Sequence, residues 1–154
     1  MSNSTQTLIL PFLGPLYRAL SPLAELLLRV VVGGFLIPHG MQKAFGAFGG
    51  GGFAGTAGWM NSIGLAPGWL FSTIAIFVEM GCGALILIGF LTRPAAALAC
   101  GFLLVAAASV HFANGFFGQN GGYEYSVMWA VAALFFAVRG AGPISVDRVL
   151  GREF

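Results

Sequence analysis

The sequence predicts an all-α integral membrane protein, a four-helix bundle forming a single domain over residues 1–154. Two observations carry this. The chain is 58% hydrophobic and 8% charged, whereas a soluble domain has about 25% charged residues. A chain this short has too little interior to hide that much apolar surface from water, and bilayer hydrocarbon is its natural solvent. The apolar runs are also long and do not alternate at period two, which excludes an outer-membrane barrel.

The elements follow in order. Residues Met1 to Thr7 are polar and expected to be disordered. Leu8 to Leu20 is short, interrupted by Pro11 and Pro15, and carries Arg18; it reads as an interfacial segment. No basic region precedes it and no A-x-A site follows, so it is not a signal peptide. Ser21-Pro22 is a helix start, a capping side chain followed by proline at the first helical position. The first span is predicted over residues 22–41, with Pro38 kinking it near its end. Phe45 to Gly58 (FGAFGGGGFAGTAG) reads as a glycine-rich loop. It has no GK[ST] and no flanking strand, so it is no phosphate loop. Trp59 to Leu65 reads as a short interfacial helix.

The second span is predicted over 69–91, a tight turn at Thr92-Arg93-Pro94, and the third span over 95–113. The third is rich in small residues that let helices approach closely in lipid, which predicts a central place in the bundle. The loop Asn114 to Gly122 leads to a fourth span over 123–138, close to the lower limit of roughly 17 residues for a membrane helix. Residues 139–154 form a polar tail.

Charge sets the expected orientation. Four spans place both termini on one side. That side holds Arg18, Arg93, Arg139, Arg148 and Arg152, against Lys43 alone on the other. The excess predicts cytoplasmic termini, with the glycine-rich loop and the His111 stretch outside. No basic run exists, so no nucleic-acid partner is expected. Cys82 and Cys100 lie in apolar runs without C-x-x-C or zinc spacing and read as small buried hydrophobes.

Ionisable residues inside the spans are functional candidates. At roughly 3.6 residues per turn, Glu25, Arg29, His39 and Lys43 share a stripe about 80° wide, and that stripe must face the bundle. Glu79 lies roughly 15 Å into the second span. An isolated carboxylate at that depth needs a partner, and Arg29, at similar depth, is the predicted one. His39, Lys43, His111, Asn114, Tyr123 and Glu124 converge at the outer surface as a candidate ligand site. His39, His111 and Glu124 are expected to line one pocket. They lack tight ligand spacing, so no metal is expected. No serine sits on a G-x-S-x-G elbow.

These residues carry a resemblance. The order R-x-x-x-G-x-x-F-x-x-H-G-x-x-K from Arg29 to Lys43 resembles the opening signature of the DoxX family. E-x-x-x-G at Glu79, GFLTRPAA at Gly89, HFANGFF at His111 and GGYEY at Gly121 follow in the family's order. The resemblance spans roughly Ala24 to Arg148. It implies a small four-helix bacterial inner-membrane protein, loosely associated with quinone-linked redox systems, and it marks Arg29, His39, Lys43, Glu79, Arg93, His111 and Glu124. The function expected from all this is an accessory or subunit of a membrane redox system. It would bind quinone non-covalently, carry no covalent cofactor and rely on a redox partner subunit. The alternative is a scaffold or assembly factor, or a permeation protein for small solutes. The bilayer is one partner, and self-association into a homo-oligomer is a further expectation.

Overall fold

The structure, a computed structural model, describes residues 8–153; the expectation for Met1 to Thr7 lies outside them. Helix α1 runs over Gly14–Phe45. After a linker, α2 covers Gly52–Ser62. Helix α3 covers Gly68–Ile88 and α4 Thr92–Asn114. Helix α5 is Glu124–Arg139 and the short α6 is Val146–Leu150. Among the described residues there is no strand. Three of these helices, counting α1 with the turn of Pro11–Leu13 that leads into it, are long and apolar enough to cross a membrane. The protein is all-α and membrane-embedded. Leucines, valines and phenylalanines lie exposed along its long helices, as at Leu27, Phe35, Val105 and Val131, and bilayer hydrocarbon is the medium that accepts such a surface.

Several boundaries move. Helix α1 begins two turns before Ser21-Pro22, at Gly14-Pro15, because Pro15 already occupies the first turn, where a missing N–H costs nothing. The helix then continues through Pro22 and Pro38 to Phe45. Its 32 residues rise roughly 48 Å, more than the hydrocarbon core of about 30 Å. Most of the glycine-rich stretch is not loop. Only residues 46–51 link α1 to α2, and α2 forms because Thr56 and Met60 bury one face of it. Asn61 then accepts a hydrogen bond from the Gly68 amide (2.7 Å) and joins α2 to the start of α3.

The tight turn falls at residues 89–91 rather than at Thr92-Arg93-Pro94, where α4 has already begun. Gly89 turns with φ +73°, and a Cβ there would overlap the Arg29 guanidinium. Helices α1 and α3 cross at Gly33 and Gly83, where a Cβ on Gly33 would come within 2.5 Å of the Gly83 carbonyl oxygen. Helix α4 packs its small residues Ala95, Ala96 and Ala99 in the core with Ala130 and Ala133 of α5. That close pairing leaves the opposite face of α4 on the surface, with Leu98, Leu104 and Val105 exposed. So α3, not the predicted third span, is the most enclosed: 39% of its apolar window is buried against 28% for α4.

The tail folds back beneath the bundle. Asp147 is 4% exposed. Its carboxylate accepts hydrogen bonds from the Leu91 and Thr92 amides (2.9 and 3.1 Å), the first donors of α4. Glu153 pairs with Arg93 (3.2 Å) and Glu25 with Arg139 (2.9 Å) at the same end.

Candidate functional site

The predicted Arg29–Glu79 pair does not form. Arg29 is buried and donates from both terminal nitrogens to backbone carbonyls of the tail, Ala141 and Ile144. Glu79 pairs instead with Lys43, whose Nζ lies 2.8 Å from Oε1 and 2.7 Å from Oε2. Helix register decides this. Antiparallel packing sets Gly40 of α1 against Glu79 and Met80, and Arg29 against Gly89. Glu79 and Gly89 are ten residues apart, roughly 15 Å along α3. Depth counted from assumed span ends placed Arg29 and Glu79 level; the longer α1 shifts the match to Lys43. The stripe does face the bundle at Arg29 and Lys43, which serve opposite ends of it.

A cavity of about 970 Å³ opens at the Lys43 end, at the top of the range of roughly 300–1,000 Å³ for small-molecule sites. Its walls are mostly apolar, from Leu36, Val78, Phe102 and Trp129. The polar groups that reach it are few: Lys43, Glu79, His39, His111, Ser109, Tyr125 and Ser126. Trp129 is fixed by a hydrogen bond from its indole N–H to the Val32 carbonyl (3.2 Å) and by stacking on Phe35 (ring centroids 5.7 Å apart).

Both histidines line the cavity. The His111 Nδ1–H donates to the Gly121 carbonyl (2.7 Å); a carbonyl only accepts, so Nδ1 carries a proton, and whenever the ring is neutral Nε2 has the lone pair. Both Glu79 and His111 stand in π-helical turns, Phe77–Cys82 and Ala107–His111. Such turns are inserted irregularities that often re-aim side chains at functional sites.

Glu124, Asn114 and Tyr123 do not line the cavity, so the pocket expected from His39, His111 and Glu124 lacks its carboxylate. Glu124 sits in the first turn of α5, where its charge complements the helix dipole. The Asn114 amide donates to the same Gly121 carbonyl (3.2 Å), and Tyr123 stacks on Phe112 (5.6 Å). All three shape the loop that carries Gly118 and Gly121 over the cavity. The carboxylate in the cavity is Glu79 instead. Trp59 and Met60 of α2 also line it. They were missed because the glycines before them read as loop, although Thr56 and Met60 at i, i+4 already mark a helical face. Among the described residues, no three His, Cys, Asp or Glu side chains gather as metal ligands would.

The profile of the DoxX family matches residues 24–112 of this chain. The chain belongs to the DoxX family. The match takes in α1 from Ala24 onward, α2, α3 and nearly all of α4, and with them Arg29, His39, Lys43, Glu79 and His111. Two proteins from Escherichia coli strain K12 are similar to it. Inner membrane protein YphA is 32% identical over 137 residues, 86% of this chain and 94% of its own. Inner membrane protein YqjF is 34% identical over 105 residues, 67% of this chain and 78% of its own. No solved structure matches at a significant level. Family membership and the spans make this a DoxX-type membrane protein whose relatives lie in the inner membrane.

Proposed function

We propose that the protein binds a quinone within the bundle and serves as an accessory subunit of a membrane redox system. The observation that carries this reading is one cavity with apolar walls that ends on Lys43, Glu79, His39 and His111. A quinone needs an apolar slot for its tail and a few partners for its head group. The Lys43 ammonium donates to a head-group carbonyl, and the His111 Nε2 lone pair accepts from a quinol hydroxyl. Glu79 holds Lys43 in place and is the nearest carboxylate to receive a proton. When bound, the quinone supplies the electron and proton chemistry; a partner subunit brings the flavin, haem or metal that exchanges electrons with it.

The protein lies in the inner membrane with both termini cytoplasmic. Arg93, Arg139, Arg148 and Arg152 gather around the folded-back tail, and an arginine-rich end belongs inside. A permeation role is disfavoured. Between the Lys43 end and Arg29 the core is filled by Val32, Leu36, Cys82 and Ile86, which leave no polar path.

Purification in native lipid followed by extraction of bound small molecules tests the reading. The expected result is quinone recovered in proportion to protein, and lost in Lys43→Met. An extract without quinone overturns it and leaves the scaffold reading, in which the ion pairs only hold helices together.

A further inference from the structure

Part of the cavity's apolar lining is exposed on the outer face of the helices. At the tail end α3 and α4 are held together by their short turn and pack through the π-turn of α3. Towards the mouth they part: the first half of α3, Gly68–Ile76, packs mainly on α2 and α1. The gap between them is rimmed by Ile74, Leu98 and Val105, which line the cavity and are also 44%, 53% and 61% exposed. These are apolar side chains on membrane-spanning helices, so what they meet outside is acyl chain. Gly101 stands in the same gap, and a Cβ built on it meets nothing within 4 Å. Gly118, Gly121 and Gly122 of the loop roof the cavity on the mouth side, and Trp59 and Met60 flank it.

We propose that this gap is a lateral portal, and that the ligand is an electrically neutral amphiphile taken from the bilayer, not a solute taken from water. This rests on the reading of the cavity as a ligand site and narrows its ligand class. The choice of a neutral head group follows from the charges. Lys43 is already matched by Glu79 at 2.7 Å, so the polar end has no cation to spare. An anionic head group would meet the Glu79 carboxylate in a site of low dielectric, where like charges repel strongly. Carbonyl or hydroxyl groups bond to Lys43 and His111 without that penalty. An apolar tail leaves through the gap and stays in the hydrocarbon.

The test uses Trp129 as a reporter inside the cavity. Trp59→Phe and Trp69→Phe together leave it as the sole tryptophan. This protein is placed in phosphatidylcholine vesicles whose acyl chains carry bromine, a short-range quencher. The expected result is strong quenching of Trp129 by the brominated chains and little by aqueous acrylamide. Gly101→Leu fills the portal and removes most of the bromolipid quenching, and Ala97→Leu on the same rim does the same. Bromolipid quenching unchanged in both variants overturns the portal, as does acrylamide quenching that exceeds it. Quinone recovered from native lipid alongside either of those results keeps the quinone reading and moves its entry to the water side. Quenching relieved by both variants with no quinone recovered keeps the portal and assigns it to a different neutral amphiphile.

Discussion

Lys43 of α1 and Glu79 of α3 form an ion pair, 2.7 Å apart, at the polar end of an otherwise apolar cavity. Glu79 is 8% exposed and Lys43 23%. Removing one partner strands the other away from water, at a cost of about 3–5 kcal/mol for a fully buried pair; the residual exposure of Lys43 places this one at the lower end. Glu79→Leu and Lys43→Met should each lower the thermal midpoint in detergent, and the double variant should recover most of the loss. Additive losses in the double variant would show that the pair is not coupled.

Asp147 holds the tail to the start of α4. Asp147→Ala removes the acceptor of two backbone donors at Leu91 and Thr92, and each unsatisfied donor costs about 1–3 kcal/mol when buried. The variant should unfold at lower temperature, and a protease should cut its tail before the bundle opens. A tail that stays as resistant as the native one would show that Asp147 is not what secures it.

Gly33 sets the approach of α1 to α3. Gly33→Leu should destabilise by more than the roughly 1–3 kcal/mol of ordinary overpacking, because the obstacle is the backbone at Gly83 and Leu87. Gly55 in α2 is the control. A Cβ there meets nothing within 4 Å, and alanine in a helix interior gains about 0.5–1 kcal/mol over glycine. Gly55→Ala should therefore be neutral or stabilising. Denaturant titration of both variants in the same detergent decides.

Orientation is checked with single reporter cysteines. Phe48 is 72% exposed, and Cys82 and Cys100 are buried and give little background. In spheroplasts, a membrane-impermeant maleimide should label Phe48→Cys directly and Arg152→Cys only after permeabilisation. The reverse pattern would invert the proposed topology.

The helical membrane class was legible because composition alone leaves few solvents for such a chain, and the spans were legible because hydropathy is additive along a helix. Pairing was not. Choosing Arg29 as the partner of Glu79 required the register between α1 and α3, and that register is set by Gly33 and Gly83, which carry no charge and give no signal at the level of charge and depth. The tail was read as a polar end because Asp147, Glu153 and three arginines look like solvated residues. Their role emerges only once Arg29 needs acceptors. At the mouth, His39, Lys43 and His111, chosen from their place at span ends, all line the cavity. Glu124, chosen by the same rule, turned away into its own helix end, and Glu79, placed too deep, is the carboxylate that Lys43 reaches.

The docking of the tail on Arg29 runs against the order in which the chain is made. Ala141 and Ile144 follow Arg29 by 112 and 115 residues. When α1 is delivered to the bilayer, its arginine stands within an apolar run, where an unpaired charge is costly, and the carbonyls that will accept its protons have not been synthesised. A nascent chain halted before residue 141 already holds every long helix through Arg139, yet leaves that charge unanswered. Arg29 therefore finds its acceptors only once residue 144 has been made, and until then the first helix depends on the insertion machinery, or on lipid head groups, for company.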